Sequence, residues 1–189
     1  FFDERNTAPR LRHAYMQWGN FLAGQTWTTL TMMQQLPFLL DFASGDSLWG
    51  GRAPQLRWDQ KIDDHWSWAV AVEDWVDNAV ANPYDLPGTA RSEWPLFALR
   101  GNYTWGRGTV SLGTSLAQVR WDGTDGIDDD SELAWAFVVG GRFYLDAANR
   151  HYLGFGGSYG YGQSGNQINL LEAGAANAVL ELDGSLDLQ

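Results

Sequence analysis

An unusual kind of period-two alternation dominates this sequence. Between Leu96 and Trp105 one parity carries Phe97, Leu99, Gly101, Tyr103 and Trp105, and the other Leu96, Ala98, Arg100, Asn102 and Thr104. From Glu132 to Leu145 the split repeats, with Leu133, Trp135, Phe137, Val139, Gly141, Phe143 and Leu145 against Glu132, Ala134, Ala136, Val138, Gly140, Arg142 and Tyr144. Trp66, Trp68, Val70 and Val72 likewise oppose Ser67, Ala69, Ala71 and Glu73. A side-chain period of two belongs to β-strands, so each stretch has one large apolar face and one small or polar face. In a soluble sandwich the bulky face is the core, and the other meets water through lysine, glutamate and threonine. Here the second face is alanine, glycine and isolated arginines, which suits a wide barrel with an apolar exterior and a small-residue lumen.

Similar segments recur at 9–18, 20–27, 52–59, 65–74, 95–106, 108–121, 131–146, 150–162 and 175–183. Their connections alternate in kind. Gly19-Asn20, Gly106-Arg107-Gly108 and Ala147-Ala148-Asn149 are tight, residues 59–64 are intermediate, and 28–51, 75–94, 122–130 and 163–174 are long. Short turns on one side and long loops on the other describe an antiparallel transmembrane meander. Aromatic residues at 14% and 22 glycines fit many strands with rings at a boundary. No run of 18 or more apolar residues exists, which excludes a transmembrane helix and leaves a membrane barrel open. The expected fold is therefore all-β, a single domain over 1–189 that is a partial transmembrane β-barrel. Trp18, Trp27, Trp49, Trp58, Trp66, Trp94, Trp105, Trp121 and Tyr161 fall near segment ends, where an interfacial girdle would lie.

A formal charge of −11 opposes nucleic acid as a partner, because the long-range field would repel it. Within that acidic total the cations are eleven arginines and one lysine, Lys61. Arginine's rigid fork suits carboxylate recognition in a way lysine does not. Placing an arginine on the lipid face near mid-membrane costs roughly 2 to 4 kcal/mol, so Arg10 and Arg12, in phase with Ala14 and Met16, are expected in the lumen. The same argument sends Arg57, Arg100 and Arg142 inward, with Ala53 and Gln55 sharing the face of Arg57. Two readings of these arginines stand. Either they make a positively charged constriction, or each pairs with an inward carboxylate such as Glu73 or Glu132.

No catalytic pattern is present. His13, His65 and His151 lie on different segments without metal-ligand spacing, and no nucleophile elbow occurs. The glycines of GFGGSYGYG interleave with Phe155, Tyr159 and Tyr161, as in a strand rather than a phosphate cradle. The acidic run WDGTDGIDDDSE lacks calcium-loop spacing and reads as a solvated loop, with cation bridging to lipopolysaccharide as a further hypothesis. No cofactor or metal is expected. Residues 28–51 are unusually apolar for a connection, and a loop of this length is commonly functional. It either folds into the barrel or packs against a neighbouring subunit; a membrane-surface helix is the alternative.

The runs RLRHAYMQWGNFLAGQTW and LPFLLDF, and RAPQLRW with AVAVED, resemble the DcaP family of Gram-negative outer-membrane porins in order and spacing across residues 9–74. The resemblance implies a homotrimer of sixteen-stranded barrels in the outer membrane, in contact with its lipid and lipopolysaccharide. It further implies passive diffusion without cofactor and a preference for small anions such as dicarboxylates. By matching position it assigns the constriction to Arg10, Arg12, Gln55 and Arg57, while Arg100 and Arg142 rest on face parity. The chain starts Phe1-Phe2-Asp3 and ends SLDLQ without a closing aromatic, so about half of such a barrel is expected. From other classes, a soluble or surface β-sandwich stacking sugars on exposed tryptophans is the alternative to a channel. A barrel enzyme would need a serine and a histidine on adjacent strands of one face.

Overall fold

The computed structural model describes residues 11–33, 49–74, 80–164 and 175–189, and holds no α-helix among them. Eight antiparallel strands form one meander: β1 (Ala14–Trp18), β2 (Phe21–Trp27), β3 (Arg52–Lys61), β4 (Trp66–Glu73), β7 (Leu96–Trp105), β8 (Gly108–Gly123), β9 (Asp130–Tyr144) and β10 (Tyr152–Tyr161). Two short strands lie between β4 and β7, β5 (Val80–Ala81) and β6 (Gly88–Ala90). β6 pairs with β8 through Gly88↔Gly123 to Ala90↔Trp121, on the part of β8 beyond its pairing with β7. The tight turns fall where the alternation breaks. Gly19, at φ +58°, and Asn20 join Trp18 to its partner Phe21, and Gly106-Arg107 join Trp105 to its partner Gly108. A positive φ is the conformation glycine adopts without a Cβ penalty, which suits a two-residue hairpin.

Register sets the chemistry of the two faces. Val72, Phe97, Leu116, Trp135 and Tyr161 are consecutive partners across five strands, and so are Val70, Leu99, Thr114, Phe137 and Tyr159. These residues point to the outer face, where Leu112 is 64% and Phe137 59% exposed. One step along each strand lies the row Ala71, Ala98, Ser115, Ala136 and Gly160, whose first four members are buried. The sheet is therefore inverted relative to a protein in water, with large apolar groups outside and small or polar groups inside. At the tight-turn end the outer rings touch: Trp66 and Tyr103 have centroids 4.6 Å apart, and Tyr103 and Trp105 5.8 Å. At the other end Trp135 contacts Phe137 at 5.5 Å and Tyr159 at 5.7 Å. From Phe97 to Trp105, strand β7 climbs about 26 Å along its own axis at about 3.3 Å per residue. At a tilt of about 35–45° that rise covers roughly 20 Å of depth, most of the apolar band of about 25 Å of outer-membrane barrels.

Two expectations are corrected. Residues 175–183 do not form a ninth strand of the meander. Ala178–Leu180 is β11, and it pairs with β12 (Leu186–Leu188) and, in parallel, with β5. Asp183-Gly184 turns this hairpin, with Gly184 at φ +89° and the Asp183 carboxylate accepting the Ser185 N–H at 3.0 Å. It lies over the inner face, where Ala178, Leu180, Leu186 and Leu188 share a buried cluster with Ala117, Ala134 and Ala136. Small inner side chains leave the room that this cluster fills. Trp49 and Trp121 belong to the same buried cluster and so are not part of an interfacial girdle.

The chemistry of the tight turns is legible at Asp146. Its carboxylate accepts the N–H groups of His151 at 2.9 Å and Arg150 at 2.8 Å, and it faces the Arg150 guanidinium at 3.2 Å. The His151 N–H, with Arg150 in support, holds this carboxyl below its ordinary 3.8. A folded-state pKa below the unfolded value stabilises the turn at neutral pH, and that contribution is lost as pH falls through the folded pKa. The amide shifts of Arg150 and His151 in the detergent-solubilised protein should therefore titrate with a midpoint below 3.8. In Asp146→Asn that titration should vanish. For the outer face, Leu112→Arg should lower the folding free energy into lipid vesicles by about 2–4 kcal/mol in urea titrations. Asn102→Arg, on the inner face of the neighbouring strand, should not.

Candidate functional site

Strands β3, β4 and β7 bring charge together on the inner face. Gln55, Arg57 and Asp59 alternate along β3; Gln55 is in register with Glu73 on β4, and Asp59 with Ala69, whose next partner is Arg100 on β7. Arg57 donates from Nε to Asp59 Oδ2 at 2.9 Å, and from Nη1 to the Trp27 carbonyl and Gln55 Oε1, both at 3.2 Å. Gln55 is buried and donates its Nε2 to the Trp27 carbonyl at 2.8 Å. Arg100 donates from Nη1 to the Thr29 carbonyl at 2.6 Å, and its Nε finds no hydrogen-bond partner among the described residues. Glu73 is 3% exposed, and its Oε1 accepts the Thr29 N–H at 2.6 Å. Two guanidiniums and two carboxylates thus share one patch of wall.

The patch borders a cavity of about 480 Å³ lined by Arg57, Asp59, Lys61, Arg100, Asn102 and Ser111, among others. Its polar lining is internally bonded. Ser111 donates to Asn102 Oδ1 at 2.6 Å, and Asn102 donates to Ser67 Oγ at 3.2 Å. Thr28, Thr31, Met32 and Met33 line the same cavity. Thr28 and Thr31 join through their hydroxyls at 2.7 Å, and the Thr28 N–H reaches the Gly51 carbonyl at 3.0 Å.

Of the residues singled out in the sequence, Gln55, Arg57 and Arg100 converge here. Arg142 does not: it lies nearer the tight turns, in register with Thr109 and Gly154, with its guanidinium 4.3 Å above the Tyr152 ring. Arg10 lies outside the described residues. Arg12 is exposed just ahead of β1 and has no register partner; what register corrects is the face of Ala14 and Met16, with which it was grouped. Met16 pairs with Ala23 and Ala23 with Leu56, an outer-face residue, so the parity of Ala14 and Met16 points outward. The inner parity of β1 is that of His13, Tyr15 and Gln17. His13 Nδ1 meets Thr26 Oγ1 at 3.1 Å, with Thr26 buried beside Ala53, while its Nε2 accepts from Arg52 at the strand end.

Two contributors were missed in the sequence. Asp59 carried a signal, since it shares parity with Gln55 and Arg57, but it was read as part of a turn. Thr29 carried none, because it acts through its backbone. The acidic run is neutralised in part by Arg120, whose guanidinium contacts Asp122, Asp129 at 3.2 Å and Glu93 at 3.7 Å. Among the described residues no group of three or more His, Asp or Glu side chains converges to hold a metal ion. The His13–Thr26 pair is not arranged for base catalysis. Arg52 Nε, a donor, lies 3.1 Å from His13 Nε2, so Nδ1 carries the proton and donates to Thr26.

The profile of the DcaP outer membrane protein family matches residues 2–163. This chain belongs to that family. It is therefore an outer-membrane protein, in agreement with its inverted faces. The crystal structure of the outer membrane channel DcaP of Acinetobacter baumannii superposes with a TM-score of 0.70 at 22% identity, over 82% of this chain and 42% of that one. The matched region thus covers less than half of that channel's length. No curated protein matches it by sequence.

Because Arg57 and Asp59 are adjacent on one face, each depends on the other. Arg57→Met should destabilise the protein by about 1–3 kcal/mol, since it leaves a carboxylate and a carbonyl short of a donor. Arg57→Met combined with Asp59→Asn should cost less than the sum of the two single changes, as read from a double-mutant cycle of urea unfolding in lipid vesicles.

Proposed function

We propose that this DcaP-family chain forms part of a passive diffusion channel that favours small anionic solutes, dicarboxylates among them, and works as a homotrimer without a cofactor. The observation that carries the reading is the set of inward guanidiniums on a wall of otherwise small and polar residues, bordering a cavity of about 480 Å³. Arg57 and Arg100 present a fork geometry suited to carboxylates. In a confined, partly dehydrated passage such groups outweigh distant loop charges, which salt screens beyond roughly 10 Å. The reading rests on Arg57 and Arg100, with Gln55 beside them and Arg142 nearer the tight turns. Arg10 and Arg12 enter the proposal through the family resemblance alone.

A weakly selective channel is favoured by a different observation, the pairing of Arg57 with Asp59 and the closeness of Glu73, which offset two positive charges with two negative ones. Reversal potentials across a planar bilayer under a salt gradient separate the two. An anion-preferring channel should show anion selectivity that shifts toward cations in Arg57→Ala and Arg100→Ala and rises in Asp59→Asn. A wild-type potential near zero supports the weakly selective reading, and clear cation preference removes the anionic one.

A further inference from the structure

Residue Thr29 is fully buried, yet it follows β2 in a connection and belongs to no strand. Both of its main-chain groups are held by charged side chains of the wall. Its N–H goes to Glu73 on β4 and its carbonyl to Arg100 on β7, each at 2.6 Å. Hydrogen bonds with one charged partner are about twice as strong as neutral ones, and two of them on one peptide fix both its position and its direction. The next residue adds a packing lock. Leu30 is 2% exposed and seats its side chain over Gly113 on β8, where any Cβ would overlap it. Glycine at an inward strand position marks a close approach of another group, and Leu30 is that group. The third anchor is Thr28, tied to Gly51 where the chain returns to β3.

The segment therefore crosses the inner faces of β4, β7 and β8 within two residues, and Thr28, Thr31, Met32 and Met33 line the cavity together with Arg57 and Asn102. We infer that Glu73, Arg100 and Gly113 are positioning residues. They clamp Thr29-Leu30 onto the wall, and the width left between residues 28–33 and the Arg57 side sets the bore of the channel. This deepens the channel reading and rests on it for its conductance. It gives Glu73 and Arg100 a task that solute attraction alone does not explain, since the carboxylate and one guanidinium nitrogen are spent on a backbone. Arg57 adds to the same end by bonding the Trp27 carbonyl, the last main-chain acceptor before the segment turns inward.

The test uses the full protein that carries this chain, in outer membranes and in planar bilayers. This chain has no cysteine, so Leu30→Cys with Gly113→Cys, in a full protein freed of any cysteine elsewhere, reports one disulfide. Oxidation of the double variant in outer membranes should form that crosslink, and its failure to form overturns the docking. In bilayers, Glu73→Ala should raise single-channel conductance on the order of 1.5-fold, with added open-channel noise, as the segment lifts from the wall. Glu73→Gln keeps an acceptor oxygen for the Thr29 N–H and should return conductance toward that of the wild type, which a purely electrostatic role for Glu73 would not allow. Forming the 30–113 crosslink in the Glu73→Ala background should restore the wild-type bore. Unchanged conductance in Glu73→Ala, or no restoration by the crosslink, overturns the inference. A double-cysteine variant that forms the crosslink, beside a wild-type protein that conducts nothing, overturns the channel reading instead, with the docking intact.

Discussion

Everything in this structure depends on the absence of water on one side of the sheet. In hydrocarbon an unpaired backbone group has no solvent partner, so the chain must run as hydrogen-bonded strands, and those strands must show lipid-compatible side chains on one parity. The unbroken outer rows from Val72 to Tyr161 and from Val70 to Tyr159 are the result. Aromatic clusters stand toward the two ends of the strands, where a ring with a polar edge is best placed.

The inner face follows from the outer one. Once the large apolar groups are committed to lipid, the opposite parity is free of the need to build a core, and it carries alanine, glycine, serine and a few charges. Small side chains leave space, and two pieces of the chain use it: residues 28–33 over β4, β7 and β8, and the β11–β12 hairpin over β8 and β9. Charges there cannot be scattered singly, because a buried unpaired charge is costly. Arg57 with Asp59, and Glu73 and Arg100 on the two sides of the Thr29 peptide, obey that rule.

Most of the meander was legible in the sequence because lipid enforces a strict period of two over long segments, which few other environments do. The 175–183 segment was misread because alternation over so short a run does not say which sheet it joins; Asp183-Gly184, a strong hairpin signal, was the better guide. At β1 the alternation was visible but its sign was not. Ala14 and Met16 are no more lipid-like than Tyr15 and Leu11, so only hydrogen-bonded register through Ala23 to Leu56 says which side is out. In the site, Gln55, Arg57 and Arg100 could be found because a cation in a lipid-spanning strand has one tolerable face. Thr29 could not, since its N–H and carbonyl are the same in every residue.

The sequence by itself determined the class of the protein: strands of alternating chemistry, a bulky outside, a small and polar inside, and arginines that belong with the second. Those are properties of single strands and their solvent, and they need no partner to be read. Only the tertiary structure decided what the inward charges do. Whether a guanidinium faces open space, a carboxylate or a folded-back peptide depends on which strands are neighbours and on where a connection lies in three dimensions, and neither is encoded in the period of any one strand.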